Sequence, residues 1–421
     1  MSDTAAHLVD RVFPRVPVRQ WVLSLPYALR YRLAYDAQLV SGVLDIFTRT
    51  VFASQIRSAR DFGAVRKPQC GAVTFIQRFD SALRLNLHLH MLAIDGVYAA
   101  DEDGHPQFQV LLAPDDEQIA QITASLAERI PEFLQRRGLG PESDPEESDP
   151  LSRDQPWLAG LYAASVFGKV AFGPNAGRRV SRTGDQIDPE SIDTLFSPRC
   201  ATVSGFSVHA NVSVHAEDRE RLERLCRYCA RPPIATERLE ALADGRLLYR
   251  FKRPWRDGTT HIVMEPLELM EKLAALIPAP RAHLLRYSGI LAPAAKWRPL
   301  IVPAGTAAAS LLDSASMATH SCAIGTSASA TESFGASSIP VPAEPTAAPS
   351  STTKHGRNYS WAELMKRVFA LDVLLCERCG GRMKIIATIH PPDTTQRILE
   401  CLGLPSRGPP SPVVSSLTEP F

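Results

Sequence analysis

A chain of 421 residues is long enough for two or three domains with cores of their own. Hydrophobic residues make up 45% and charged residues 22%, the balance of an ordinary globular protein, which excludes a disordered or collagen-like chain. The formal net charge is +1, so the chain is not basic throughout, and any surface for nucleic acid has to be local. The N-terminus, MSDTAAHLVDRVF, lacks the charged start and apolar run of a leader. No apolar stretch reads as a membrane span. With 8 cysteines, the expectation is a reducing compartment and free thiols or a metal site rather than a disulfide framework.

In chain order, Val18 to Leu25 predicts a short strand stopped by Pro26. Tyr27 to Ser58 reads as one long amphipathic helix, with Leu33, Leu39, Val43, Ile46, Phe47 and Val51 at helical spacing. CGAVTFIQRF is β-rich, and LRLNLHLHMLAIDGVYA follows, with Asp95-Gly96 expected to turn a hairpin between two strands. Pro114-Asp115 opens a helix to about Arg137. Residues 138–156 form an acidic, Pro-rich stretch expected to be a solvated loop. Residues 157–303 carry the strand run SGFSVHANVSV, a helix from about Ala216 to Arg231 and the strand LLYRFKRPW. Residues 304–357, rich in Ala, Ser, Thr and Pro, read as a flexible linker. A small CxxC unit is expected over 358–406 and a tail over 407–421.

Three constellations carry chemistry. In a strand, Asn86, His88 and His90 share one face while Leu85, Leu87, Leu89 and Met91 point to the other, into the core. Two adjacent imidazoles are poor packing material and good ligands for a divalent ion. His-x-His alone is equally compatible with a wet sheet face. A third ligand is needed, and Gln77 in the preceding strand and His209 are the candidates. On the helix from about Ala216 to Arg231, Leu222, Leu225, Cys226 and Cys229 form the buried stripe. Tyr228 lies off it, on a face with Arg221, Arg224 and Arg231, where a phenol among guanidinium groups suits attack on a phosphodiester. Pro232 and Pro233 stop that helix. The third constellation, Cys376-x-x-Cys379-Gly380-Gly381, looks like half a zinc ribbon, with Cys401 and His390 nearby at spacings that decide nothing. The glycines Gly168, Gly173 and Gly177 lack the spacing of a phosphate loop.

These residues carry a resemblance. WVLSLP, QRFDSALRLNLHLHMLAIDG, SGFSVHA with RLERLCRYCARPPIA, RYSGILAPAAKWR with Tyr287, and WAELMKRVFALDVLLCERCGGRMKIIATI resemble, in order, the motifs of the insertion-sequence 91 type of transposases, which belong to the HUH rolling-circle endonucleases. The resemblance implies an α+β fold with an HUH-type palm, a central antiparallel sheet with flanking helices. Residues 1–137 would supply its first part with the metal motif and 157–303 its second, with the tyrosine helix. It implies a bacterial cytoplasmic enzyme in which His88 and His90 bind Mg or Mn and Tyr228 nicks single-stranded DNA at transposon ends. Tyr228 would form a 5′-phosphotyrosine link, with Arg221, Arg224 and Arg231 holding the DNA backbone. Many relatives carry a second tyrosine four residues earlier, where this chain has Arg224, and usually begin with a cysteine-rich zinc-binding domain; the resemblance places the start of this sequence just after where that domain would end. The rival expectations are a replication initiator with the same site, a DNA-binding relic without activity, and an amidohydrolase, which would need alternating βα units of a barrel.

Overall fold

The computed structural model describes residues 1–61, 63, 67–139, 149–184, 198–252, 254–255, 258–303, 359–385 and 392–403. The core of the acidic stretch (140–148), the linker 304–357, His390 and the tail 407–421 lie outside the described residues. The chain divides into two compact units, Met1–Pro342 and Ala343–Phe421.

The first unit opens with helix α1 (Ser2–Arg11), strand β1 (Val18–Ser24) and helices α2 (Tyr27–Tyr35) and α3 (Ala37–Asp61). Strands β2 (Gly71–Phe79), β3 (Leu85–Ile94), β4 (Gly96–Ala100) and β5 (Pro106–Val110) precede helices α4 (Asp116–Gln135), α5 (Pro150–Asp154) and α6 (Pro156–Phe167). Then come β6 (Ser181–Gly184), β7 (Cys200–Val203), β8 (Phe206–His209), β9 (Ser213–Val214) and helix α7 (Arg219–Cys229). The unit finishes with β10 (Leu239–Ala241), β11 (Leu247–Arg250), β12 (Thr259–Met264), helix α8 (Pro266–Leu276), β13 (Leu285–Gly289) and the short α9 (Arg298–Ile301).

Seven strands form the central sheet in the order β13-β2-β3-β1-β8-β7, with β9 also on β1. Its pairings are antiparallel. The class is therefore α+β, and the absence of parallel βα units among the described residues removes the amidohydrolase alternative. Trp21, Leu23, Leu87, Leu89 and Met91 pack on one face against Leu39, Val43, Phe47 and Val51 of α3 and Ile119, Leu126 and Ile130 of α4. On the other face, Val18, Val73, Phe75, Leu92 and Ile94 meet Leu8 and Val9 of α1 and Leu222, Cys226 and Cys229 of α7. Each such Leu or Phe contributes about 1.5–3 kcal/mol on burial. A second sheet, β10-β11-β12-β6, shares a third core with α6 and α8.

Three expectations need correction. The long helix predicted over Tyr27–Ser58 is two helices. Asp36 adopts extended geometry (φ −100, ψ 99), and its carboxylate accepts from the amides of Gln38 and Leu39, so it ends one helix and caps the next. Asp95-Gly96 does not turn a hairpin, because β4 pairs with β5 and β3 pairs with β1 and β2. The Asp95 carboxylate is instead gripped by Arg19, at 3.0 Å from Nε and 2.6 Å from Nη2. Gly96 is needed for close approach: a Cβ there would lie 2.3 Å from the Gln109 carbonyl oxygen. Finally, α3 is long and apolar enough by composition to cross a membrane, with mean hydropathy 1.2 over its best window, but its apolar positions are spent on the sheet.

Arg19 and Asp95 are almost fully buried, and Arg19 Nη1 also donates to the Ala210 carbonyl at 2.9 Å, so the pair ties β1 to the end of β3 and to β8. Removing one partner strands the other charge. Asp95→Ala should cost about 3–5 kcal/mol in urea unfolding. An Arg19→Met/Asp95→Leu double variant should recover most of that loss.

Candidate active site

The site grows from the alternation of β3. With Leu87, Leu89 and Met91 committed to the α3 face, His88 and His90 must face α7. Register sets their neighbours: His88 lies opposite Ser24 on β1 and Gln77 on β2, and His90 opposite Val22 and Phe75. The two rings sit edge to face with centroids 4.9 Å apart.

Helix α7 begins at Asp218, whose side chain accepts from the Arg221 amide, and lays Leu222, Cys226 and Cys229 into the core. That stripe fixes its rotation and leaves Tyr228 40% exposed at its C-terminal end. The Tyr228 ring meets His90 edge to face, with centroids 6.0 Å apart. Gln77 secures this arrangement: its Nε2 donates to the carbonyls of Cys229 (2.7 Å) and Tyr228 (3.4 Å).

Tyr228 and His90 open onto a cleft of ≈ 1210 Å³, whose walls also carry Gln20, Phe79, His209, Arg231, Lys252 and Trp255. Arg231 places its guanidinium carbon 4.4 Å from the Tyr228 ring centroid, and Lys252 Nζ lies 5.9 Å from it. Arg231 Nε is buried without a hydrogen-bond partner. The cleft therefore presents two cations beside a phenol, in walls that also carry Asp80, Glu237 and Arg238.

Burial is the main force on both imidazoles and lowers both pKa values. For His90 the neighbouring His88 and then Arg231 add to it, driving the ring down to about 3. His88 is partly offset by its bond to Asn86. His88 Nδ1 lies 2.9 Å from the Asn86 carbonyl, which accepts only if Nδ1 carries the proton, so Nε2 keeps its lone pair. Gln77 Oε1 is buried with no hydrogen-bond partner. Neutral imidazoles and an orphaned carbonyl oxygen one strand over are a donor set that fits a divalent cation.

The predicted residues divide. His88, His90, Gln77, Tyr228 and Arg231 lie together, and of these His90, Tyr228 and Arg231 line the cleft while His88 and Gln77 sit beneath it in the sheet. Arg224 is exposed and pairs with Glu220 at 3.6 Å, and Arg221 is exposed one turn earlier, so neither lines the cleft. His209 lines it, but Val22 stands between it and His90 in the sheet row, a separation of about 10 Å at two strand spacings. Tyr287 lies on β13, with Arg298 over its ring, and does not line the cleft. Cys226 and Cys229 are core, as their spacing predicts. In the second unit, Cys376 and Cys379 occupy a tight turn in which the Gly380 amide donates to the Cys376 carbonyl (2.8 Å) and the Cys376 amide to Gly381 (2.9 Å). Amides of Cys379 and Arg378 lower the Cys376 thiol pKa. Among the described residues no group of three or more His, Cys, Asp or Glu is placed to hold a metal ion.

Sequence reasoning missed two residues. Gln20 is buried beneath α7, with Nε2 2.8 Å from His90 Nδ1 and 3.5 Å from Cys229 Sγ. A long amide between Val18 and Val22 on one face of β1 was the available signal. Lys252 follows β11 of the smaller sheet, and nothing in its local sequence points to a tyrosine on a different element.

The depressed histidines set a pH dependence. Unfolded histidine titrates near about 6.5. Below that pH the unfolded chain binds protons that buried His88 and His90 refuse, so stability falls with falling pH, by up to ~1.4 kcal/mol per unit per histidine, until His90 titrates near 3. A His88→Asn/His90→Asn variant should show a flatter stability profile between about pH 7 and 5, measured by urea unfolding in chelator.

No curated protein and no solved structure matches the chain. A family model described as Putative transposase matches residues 71–298, more than half of the chain, and this span contains Gln77, His88, His90, Tyr228, Arg231 and Lys252. The chain belongs to this family of transposases.

Proposed function

We propose that this transposase nicks and rejoins single-stranded DNA through Tyr228, with a Mg or Mn ion held by His88, His90 and Gln77. The observation that carries the reading is the 6.0 Å approach of the Tyr228 and His90 rings, from elements far apart in sequence, in a cleft that also holds Arg231 and Lys252. A bound ion would polarise the scissile phosphate as a Lewis acid.

The chain's own groups account for the remainder. The Tyr228 oxygen attacks phosphorus and the bond from phosphorus to the 3′ oxygen breaks. The tyrosine proton passes to solvent, and the leaving oxygen takes up a proton to become a free 3′-OH. The 5′ end stays on the enzyme as a phosphotyrosine. No nucleotide cofactor is needed, because the diester bond energy is retained and attack by a 3′-OH reverses the step. Arg231 and Lys252 offset the charge that accumulates on the phosphate oxygens, and a planar guanidinium suits two of them at once. The cleft's aromatic groups favour unpaired bases, and family membership favours transposition over plasmid replication.

The test is incubation with end-labelled single strands from the element's termini, with and without Mn, followed by denaturing electrophoresis. A DNA-linked protein band should form with Mn, vanish in Tyr228→Phe, and fall by at least ~10²-fold in His88→Ala. An adduct that persists in Tyr228→Phe refutes the nucleophile. DNA binding with no adduct in the unaltered protein would identify a relic instead. Lys252→Ala should weaken binding of single strands and reduce its salt dependence by about one phosphate contact.

A further inference from the structure

Gln20 touches a histidine of the site. It belongs to β1, diagonal to His90 across the β1–β3 pair, and is 4% exposed. Its Nε2 lies 2.8 Å from His90 Nδ1 and 3.5 Å from Cys229 Sγ.

In this arrangement the amide N–H donates to His90 Nδ1, so the ring proton sits on Nε2. With Nδ1 engaged, Nε2 is the only nitrogen left for a cation, and a protonated Nε2 cannot ligate one. A half-turn of the side-chain amide removes the conflict. Oε1 then accepts from Nδ1–H of His90 and from the S–H of Cys229, and Nε2 gains a lone pair. The amide's nitrogen and oxygen are almost the same size, so the rotation needs no repacking. His88 needs no such device, because a backbone carbonyl, which can only accept, already fixes its proton on Nδ1.

We propose that Gln20 is a positioning residue that selects the His90 tautomer, its side-chain amide rotating half a turn when a divalent cation enters the site. The inference rests on the metal-site reading of His88 and His90. It makes Gln20 a two-way adapter: one orientation donates to His90 Nδ1 and Cys229 Sγ in the empty site, and the other accepts from both in the loaded one.

Two measurements on the full chain test it. The first follows histidine tautomers by two-bond proton–nitrogen correlation spectra at pH 8, with His90 assigned through His90→Asn. In chelator His90 should carry its proton on Nε2, and saturation with diamagnetic Zn should move it to Nδ1. The second is calorimetric titration with Mn. Gln20→Met, of similar volume and without the hydrogen bond, should bind Mn roughly 10–100-fold more weakly. Gln20→Glu, whose carboxylate only accepts, should bind at least as tightly as the unaltered protein and show Nδ1–H even in chelator. An unaltered protein with Nδ1–H in chelator overturns the proposal, and so does Gln20→Met binding Mn normally. An unaltered protein that binds neither Mn nor Zn sinks the metal reading and this inference together. Normal binding with unresponsive Gln20 variants sinks this inference alone. The tautomer spectrum of the unaltered protein decides the matter even where a variant fails to fold.

Discussion

Everything at this site depends on how one helix end is tied to one sheet face. A helix finishes with carbonyls that have no partner within the helix. At the end of α7, the carbonyls of Tyr228 and Cys229 accept from the Gln77 amide, and Gln77 stands opposite His88 in the sheet. The amide's nitrogen therefore fixes the tyrosine helix, while its oxygen is left buried and unpaired beside the histidine strand. Pro232 and Pro233 keep the helix from running past this point. Leu222, Cys226 and Cys229 fix its rotation. The result is that the backbone of Tyr228 is held beside the histidine strand.

The same face explains why the site is neutral beneath and cationic above. Two imidazoles taken out of water resist protonation, and His88 further discourages the charge of His90. Arg231 lowers both further. In the proposed function the neutral imidazoles would ligate the cation, and half-buried Arg231 with exposed Lys252 would receive the phosphate. The division between sheet floor and cleft wall is thus a division of chemical labour. It is also local, which is why a chain with a net charge of +1 gives no sign of it in its composition.

Much of this was legible in the sequence where a short-range rule governed it. The alternation Asn86-Leu87-His88-Leu89-His90 put both histidines on one face, and the spacing of Leu222, Cys226 and Cys229 separated core from tyrosine on α7. The rules failed where a distant partner overrode them. Asp95-Gly96 has turn chemistry, but Arg19 on β1 claims the carboxylate and Gln109 on β5 claims the space. Asp36 interrupts an apolar pattern that periodicity alone carries through. Arg221 and Arg224 share a helical face with Tyr228 on paper, yet the cleft lies toward the helix end and takes in only Arg231. Gln20 is signalled only as an amide at an inward position of β1, and Lys252 reaches the site from an element whose own sequence says nothing of it.

Arg224 also constrains how strand transfer can be organised. It stands four residues before Tyr228, about 6 Å back along the helix axis, exposed and paired with Glu220 rather than lining the cleft. A nucleophile at that position would sit a full turn from the end where Gln77 docks α7 to the histidine strand. With arginine there, the proposed chemistry has one tyrosine per site and can hold one DNA end at a time. Both transfers must then pass through Tyr228 in sequence, a 3′-OH releasing the first phosphotyrosine before the second strand is cut, unless a second copy of the chain supplies another tyrosine. A residue freed and reused in this way has to return to the same geometry after each release. The amide clamp on its backbone, which involves no atom of the reacting phenol, would preserve that geometry through such a cycle.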